Sequence, residues 1–267
     1  MKAERYHGKC AQTLGKAILL FESLISRNLQ YREKETSRDT VTNIDLALHS
    51  MICRDLAESN IPVFSEEGLP REKTQELYWI IDPIDGTTNM ISGIPFFGIS
   101  LGLVESKVFA VGAFGMPATK EIFYTAGPAS AYRNEARMRV VEKELRKCLI
   151  GVCFSSNGGL GSASRKEEFQ VFQELNDSSR GCLRLGSAGC TICYVASGKL
   201  GAAFGVSVKS WDVAASLAIA KAAGCDVRVA DGDAPENLHF IAGKGQMMDQ
   251  IQERLTRAVP MAQWRGM

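Results

Sequence analysis

The chain has 267 residues, 45% of them hydrophobic, so it can bury a substantial core in one large domain or two closely joined halves. Its 31 Lys and Arg residues nearly balance its 30 Asp and Glu residues, and no basic run is interleaved with aromatic side chains. This balance argues against a nucleic-acid partner, and the composition argues against a disordered chain.

The first predicted element is an N-terminal amphipathic helix, because its apolar residues recur at helical spacing. Lys16 and Glu22 interrupt the apolar stretch, so we expect neither a signal peptide nor a membrane span there. The charged segment 30–39 predicts a loop, and Thr42 or Asn43 can then cap a second helix.

Apolar runs predict the strands of the first half. IPVF at 61–64 and LYWII at 77–81 are short strands, each followed by acidic residues. Three β-rich runs separated by turn residues come next, at 96–106, 108–117 and 121–127. This pattern is typical of an antiparallel meander.

The second half alternates between predicted strands and helices. The strands are at 148–154, 182–186, 202–206, 225–230 and 239–243, and the helices are at 165–176, 188–198, 212–224 and 247–259. Helices that repeatedly cover strands indicate a layered α/β (α+β) architecture. Because no linker or repeat is visible, we expect one domain over 1–267, with halves at about 1–145 and 146–267.

Eight cysteines without a secretory signal predict free thiols in a reducing compartment, and hence a cytoplasmic protein. Cys190 and Cys193 have CxxC spacing, but a zinc site would need a second such pair, so we favour small apolar residues on a buried helix face. His7, His49 and His239 are scattered without paired spacing and are interpreted as surface or structural histidines.

Carboxylates occur where predicted strands end or a predicted helix starts. Glu66 and Glu67 follow one strand, Asp82 and Asp85 follow the next, and Asp212 precedes a helix. Such positions are where layered folds usually build their sites, so these carboxylates can converge. A cluster of oxygen ligands without His or Cys suits Mg²⁺, which keeps coordination positions for water and substrate phosphate.

The residues Gly86, Thr87 and Thr88 follow Asp85 and can supply amides and hydroxyls to an anion. Each of these short motifs taken alone is also an ordinary turn or cap sequence, but their joint order favours phosphate chemistry. The two aspartates are spaced D-x-x-D, with Pro83 between them. This spacing differs from the DxDGT pattern of phosphatases with a nucleophilic aspartate, so we discount that mechanism.

With these motifs, the chain resembles the inositol monophosphatase family of Mg²⁺-dependent, Li⁺-sensitive phosphatases. WIIDPIDGTTN at 79–89 is similar to the family's first signature, and WDVAASLAIAKAAG at 211–224 is similar to its second. VTNID at 41–45, EEG at 66–68 and GSAG at 186–189 occur in the family's order. The resemblance implies a layered αβαβα sandwich of the inositol monophosphatase/fructose-1,6-bisphosphatase type, and a homodimer.

The resemblance also implies roles for individual residues. The implied ligands of two to three Mg²⁺ ions are Glu66, Asp82, the backbone carbonyl of Ile84, Asp85 and Asp212. The implied catalytic residues, which activate the attacking water, are Asp45, Glu66 and Thr87. The implied phosphate-binding residues are Gly86, Thr87 and Thr88, and Lys34 falls in a loop over the metals. Arg184, Ala188 and Gly205 are further candidate substrate-binding positions. The implied reaction is in-line attack by a metal-activated water, without a covalent enzyme intermediate.

One departure and one open question concern the substrate. Gly205 stands where family members that handle inositol phosphates carry a glutamate that binds substrate hydroxyls, which argues against inositol 1-phosphate. Arg184 and the loop 155–166 can line the leaving-group pocket or can equally be a surface salt-bridge residue and a flexible loop.

The predicted function is hydrolysis of a small phosphate monoester resembling an inositol, sugar or cyclitol phosphate, with no nucleic-acid or membrane partner. Histidinol phosphate and fructose 1,6-bisphosphate are alternative substrates. A 3′-phosphoadenosine nucleotidase is disfavoured because the chain reads DGTTNM where that branch tends to read DGTKEF. A non-catalytic binding protein of the same fold is disfavoured because every expected ligand residue is present.

Overall fold

The computed structural model describes residues 2–26, 30–33, 40–68, 75–154 and 165–267. The helices of these ranges are α1 His7–Ile25, α2 Asn43–Ala57, α3 Thr87–Ile91, α4 Arg165–Ser178, α5 Ala188–Ala196, α6 Ser210–Ala222 and α7 Met247–Ala258. None of these helices has both the length and the apolar character needed to cross a lipid bilayer.

Two groups of strands are formed by the first half of the chain. A small antiparallel hairpin consists of β1 Tyr31–Glu33 and β2 Thr40–Thr42. A seven-stranded sheet follows, with strands in chain order: β3 Val63–Ser65, β4 Leu77–Asp85, β5 Gly98–Glu105, β6 Val108–Met116, β7 Glu121–Gly127, β8 Ser130–Arg133 and β9 Ala136–Arg137. β3 and β4 are parallel and the other neighbours are antiparallel, so the expected meander is confirmed.

The second half forms a six-stranded sheet. Its strands are β10 Ile150–Phe154, β11 Cys182–Leu183, β12 Ala202–Lys209, β13 Asp226–Asp231, β14 Asn237–Gly243 and β15 Arg265–Gly266. They are ordered β11-β10-β12-β14-β13-β15, with β10 parallel to both β11 and β12. β14 runs antiparallel to β12, and this pairing places Gly205 opposite Phe240.

The helices and sheets form five layers. α1 and α2 pack on one face of the seven-stranded sheet around Leu14, Leu48 and Trp79. α5 and α6 fill the space between the two sheets, and α4 and α7 cover the outer face of the six-stranded sheet. The architecture is the αβαβα sandwich predicted from the sequence.

The central helix α6 is apolar on nearly every side because sheets lie on both sides of it. Its close approach to the seven-stranded sheet depends on a glycine. A Cβ at Gly112 in β6 would lie 2.1 Å from the carbonyl oxygen of Ala215. This close contact fixes the height of α6 above the sheet, and therefore the position of the helix start that carries Asp212.

Most local predictions are confirmed, including Thr42 as the cap of α2 and the burial of Cys190 and Cys193 on α5. All eight cysteines are free. One prediction is wrong: the segment 30–39 contains the strand Tyr31–Glu33 rather than only loop. Its three side chains are exposed, so they carry no apolar alternation, and the strand exists through backbone pairing with Thr40–Thr42.

Candidate active site

The site begins where β4 ends. This strand is buried from Trp79 onward, and its pairing with β5 slips between Asp82 and Asp85. The irregularity bends the chain, so the amide of Ile84 donates to Oδ1 of Asp82 at 3.0 Å. Asp82 is thereby fixed by its own backbone at the edge of the sheet.

Glu66 and Asp212 approach Asp82 from two other elements. Because β3 is parallel to β4, the residue following β3 reaches the same sheet edge, and the amide of Glu66 donates to the carbonyl of Ile81 at 3.3 Å. Asp212 lies in the first turn of α6. Carboxylate oxygens of Glu66, Asp82 and Asp212 all lie within 4.8 Å of one another. The structure thus gathers three of the predicted ligands, from three separate elements.

This cluster is electrostatically unfavourable without a counter-charge. Burial, followed by the negative charges of Glu66, Asp212 and Asp85, raises the pKa of Asp82 well above its usual range. Asp82 is only 1% exposed, so water screens this repulsion poorly. A divalent cation bound by these oxygen atoms would offset the repulsion.

Asp85 is held by the start of α5. Its Oδ2 accepts hydrogen bonds from the hydroxyl of Ser187 and from the amide of Gly189, both at 2.6 Å. Burial raises the pKa of Asp85 to about 7, although these hydrogen bonds act in the opposite direction. Asp85 therefore connects the two halves of the chain, because its Oδ2 is hydrogen-bonded to the start of α5.

A tight turn follows Asp85. Gly86 adopts a left-handed conformation with φ of 93°, and a Cβ there would lie 3.0 Å from the carbonyl oxygen of Phe96, so both the turn and the space require glycine. The short helix α3 then begins at Thr87. Asn89, for which the sequence suggested no role, donates from Nδ2 to the carbonyls of Phe96 and Leu185 at 2.6 and 2.8 Å. It fastens α3 to two neighbouring loops.

Asp45 and Thr87 come together as predicted. The Thr87 hydroxyl lies 3.4 Å from Oδ1 of Asp45 and 3.0 Å from the carbonyl oxygen of Ile84. The other carboxylate oxygen of Asp45 accepts from the amide of Thr42 at 3.0 Å and from the Thr42 hydroxyl, forming a capping box at the start of α2. Burial raises the pKa of Asp45 to about 7 against these hydrogen bonds.

A cavity of about 170 Å³ opens over these groups. Its lining includes most of the predicted site residues, namely Glu66, Asp82, Ile84, Asp85, Gly86, Thr87, Thr88, Arg184, Ala188 and Asp212. Asp45 is buried behind Thr87 and does not line the cavity. Gly205 is absent from the lining as well, and Lys34 lies outside the described residues.

Sequence reasoning missed several residues of the lining. Cys153 and Phe154 end β10, and Ser207, Val208 and Lys209 end β12. Their contribution follows from the parallel pairing of these strands, whose carboxyl ends meet at one sheet edge. Ser207 lies at a β-bulge and has a left-handed φ of 50°, an unusual backbone conformation that the sequence does not reveal.

Two of the histidines make structural contacts near this region. Nδ1 of His49 lies 2.8 Å from the hydroxyl of Ser65, the residue before Glu66. Nδ1 of His239 accepts from the amide of Ser207 at 3.1 Å, so this nitrogen carries no proton. Both agree with the structural role expected from the sequence.

Comparison with known proteins identifies this arrangement. A model of the inositol monophosphatase family matches residues 3–262. The chain is 34% identical to the Nus factor SuhB of Pasteurella multocida over 208 residues, which is 74% of this chain and 76% of that protein. It is 32% identical to a fructose-1,6-bisphosphatase/inositol-1-monophosphatase of Thermotoga maritima over 232 residues, 85% and 87% of the two chains.

The fold agrees with a solved relative. An inositol monophosphatase from Anabaena (Nostoc) superposes with a TM-score of 0.80 at 23% identity, covering 98% of this chain and 99% of that one. The family match extends over both signature motifs, the carboxylates at the cavity and every strand except the last, β15. The chain therefore belongs to the inositol monophosphatase family and is a phosphatase that hydrolyses phosphoric monoesters.

Proposed function

We propose that the protein is a Mg²⁺-dependent phosphatase that hydrolyses a small phosphate monoester by direct attack of water. The observation that carries this proposal is the convergence of Glu66, Asp82 and Asp212 within 4.8 Å at a cavity also lined by Gly86 and Thr87.

The residues fit Mg²⁺ on chemical grounds. The converging ligands are all carboxylates, Ile84 lines the same cavity, and the cavity leaves room for water and phosphate oxygens. We assign Glu66, Asp82 and Ile84 to one ion, and Asp82, Asp85 and Asp212 to a second, with Glu66 serving a weaker third. Such ions would lower the pKa of a water and neutralise charge on the phosphate and leaving oxygen.

The protein's own groups orient the attacking water. The Thr87 hydroxyl has one hydrogen and two acceptors within reach, the Ile84 carbonyl and Oδ1 of Asp45. Donation to Asp45 leaves the carbonyl of Ile84 free for a cation and turns a lone pair of Thr87 toward the cavity, where a water can donate to it. Asp45 is thus a positioning residue that acts through Thr87.

The phosphate position follows from the turn after Asp85. The amides at the start of α3 have no acceptor within the helix, and Thr87 and Thr88 both line the cavity. We expect phosphate oxygens to accept from these amides and from the Thr88 hydroxyl. We place the phosphorus beside the carboxylate cluster and propose that the part of the cavity lined by Arg184 receives the leaving alcohol.

The resemblance adds inhibition by Li⁺ and a homodimer to this proposal, and the eight free cysteines add a reducing, cytoplasmic location. The substrates considered are inositol, sugar or cyclitol phosphates, with fructose 1,6-bisphosphate and histidinol phosphate as alternatives. The T. maritima relative carries both a fructose bisphosphatase and an inositol monophosphatase name, which supports testing both classes.

The test is phosphate release from a panel of these esters, with Mg²⁺ and with EDTA. We expect release that requires Mg²⁺ and decreases with Li⁺. Absence of Mg²⁺-dependent release from every ester by folded protein would contradict the proposal.

A further inference from the structure

Gly205 stands at the position where the resemblance leads us to expect a substrate-binding carboxylate. Gly205 is buried in β12 and pairs across the sheet with Phe240, whose side chain is fully buried. A Cβ on Gly205 would lie 2.3 Å from Cε1 of Phe240 and 3.0 Å from Cγ1 of Val208. The ring of Phe240 therefore occupies the space of any longer side chain at 205, and a carboxylate there is sterically excluded.

A further observation concerns charge. Away from the carboxylate cluster and the Gly86–Thr88 turn, the described lining of the cavity contains two charged side chains, Arg184 and Lys209, and both are cationic. A polyol leaving group is usually recognised through carboxylates that accept its hydroxyl hydrogens. This side of the cavity offers the opposite charge.

Arg184 and Lys209 differ in whether their charge is already paired. Lys209 is neutralised, because its Nζ lies 3.0 Å from Oε1 of Glu236 and 5.5 Å from the centre of the Trp211 ring. Ser207 is committed as well, since its hydroxyl donates to Asp233 and accepts from another side chain. Arg184 is exposed and makes no hydrogen bond or ion pair with any described residue.

We propose that Arg184 recognises a second anionic group, a phosphate or a carboxylate, on the alcohol part of the phosphate ester. This inference rests on the proposed phosphatase function and narrows its substrate class to esters whose leaving alcohol is itself charged. A guanidinium suits this role because its forked donors match the paired oxygens of both anions. Arg184 determines specificity and takes no part in the transfer of the phosphoryl group.

The test compares matched pairs of esters at equal free Mg²⁺. Glycerol 2-phosphate and 2-phosphoglycerate differ by one carboxylate, and fructose 1-phosphate and fructose 1,6-bisphosphate differ by one phosphate, so the two pairs distinguish the two anions. We expect wild type to favour the charged member of at least one pair by about tenfold or more in kcat/KM. Arg184→Ala should lower kcat/KM for that member about 10- to 100-fold, mainly through KM, and change the neutral member less than about threefold.

Two further variants sharpen this test. Arg184→Lys keeps the charge but loses the fork, so it should retain an intermediate preference. Arg139→Ala is the matched control, because Arg139 is exposed, lies outside the cavity lining and should leave both members of each pair unchanged. Equal losses on charged and neutral esters in Arg184→Ala would overturn the inference, because Arg184 would then bind the transferred phosphate.

A binding measurement separates this inference from the proposed function. Glycerol 2-phosphate and 2-phosphoglycerate are compared by the rise in melting temperature that each produces with Mg²⁺. We expect a larger rise with the charged ligand in wild type, and equal rises in Arg184→Ala. If no ester releases phosphate, the proposed function fails and this difference still tests the role of Arg184. If phosphate is released and wild type shows no preference in either assay, the inference alone fails.

Discussion

Replacing Asp82 by asparagine should make the metal-free protein more stable while abolishing its activity. Carboxylates of Glu66, Asp82 and Asp212 lie within 4.8 Å of one another, so each charged pair costs at least about 3.5 kcal/mol at an effective dielectric constant of about 20. Protonation of Asp82 limits this cost, so we expect a net gain of about 1–3 kcal/mol at pH 8. Asparagine keeps an Oδ1 that can accept from the amide of Ile84, so the local fold should persist.

Thermal and urea unfolding in EDTA measure this gain, which corresponds to roughly 2–4 °C per kcal/mol in a chain of this size. Mg²⁺ at a hundred times its dissociation constant should stabilise wild type by about 2.7 kcal/mol and stabilise the variant much less. Glu135→Gln, an exposed carboxylate outside the cavity lining, is the matched control and should change neither value. A variant less stable than wild type in EDTA, with an unchanged response to Mg²⁺, would show that repulsion at Asp82 does not limit the stability of the metal-free protein.

The stability difference between Asp82→Asn and wild type should depend on pH. Folding raises the pKa of Asp82, so this group favours the native state at low pH and opposes it as the pH rises toward the raised value. The advantage of Asp82→Asn in EDTA should therefore be larger at pH 8 than at pH 5. Unfolding measured at both values tests this, and an advantage that grows toward pH 5 has the wrong sign.

Three further predictions address other parts of the site. Thr87→Val should lower kcat about 10²- to 10⁴-fold, because the hydroxyl that orients the water is lost. Thr87→Ser keeps this hydroxyl and should keep most activity. Equal kinetics in the two variants would contradict this role. Gly205→Glu should lower the melting temperature because the new side chain overlaps the Phe240 ring. Phe240→Ala should therefore lower the melting temperature less in the Gly205→Glu protein than in wild type. Strictly additive effects in unfolding experiments would argue against this steric overlap. Asn89→Ala should destabilise the protein by about 1–3 kcal/mol in urea unfolding, since two backbone carbonyls lose their donor, and a loss below 0.5 kcal/mol would show that water replaces it.

The layered fold was predictable because its signals are local. LYWII is a short continuous apolar run, the sequence of α6 is a longer apolar run, and acidic residues mark the strand ends where the cavity forms. The possible convergence of Glu66, Asp82 and Asp212 followed from their positions at strand ends and at a helix start, and the structure supplies the distances.

The remaining features depend on contacts between distant parts of the chain. Asn89 looks like an ordinary cap residue until the loop containing Leu185 is placed beside it. Ser207 enters the cavity through a bulge whose register no local pattern encodes. Gly205 was expected at the substrate, yet it lies beneath Phe240, a residue 35 positions later that is brought opposite by antiparallel pairing.

The most direct test of the account is a Mg²⁺ titration of phosphate release from 2-phosphoglycerate and fructose 1,6-bisphosphate by wild type and by Asp82→Asn. We expect saturable, Mg²⁺-dependent release by wild type on at least one ester, and loss of nearly all release in the variant although it remains folded. Release that is unaffected by EDTA, or that survives in Asp82→Asn, would contradict a metal site built on these carboxylates.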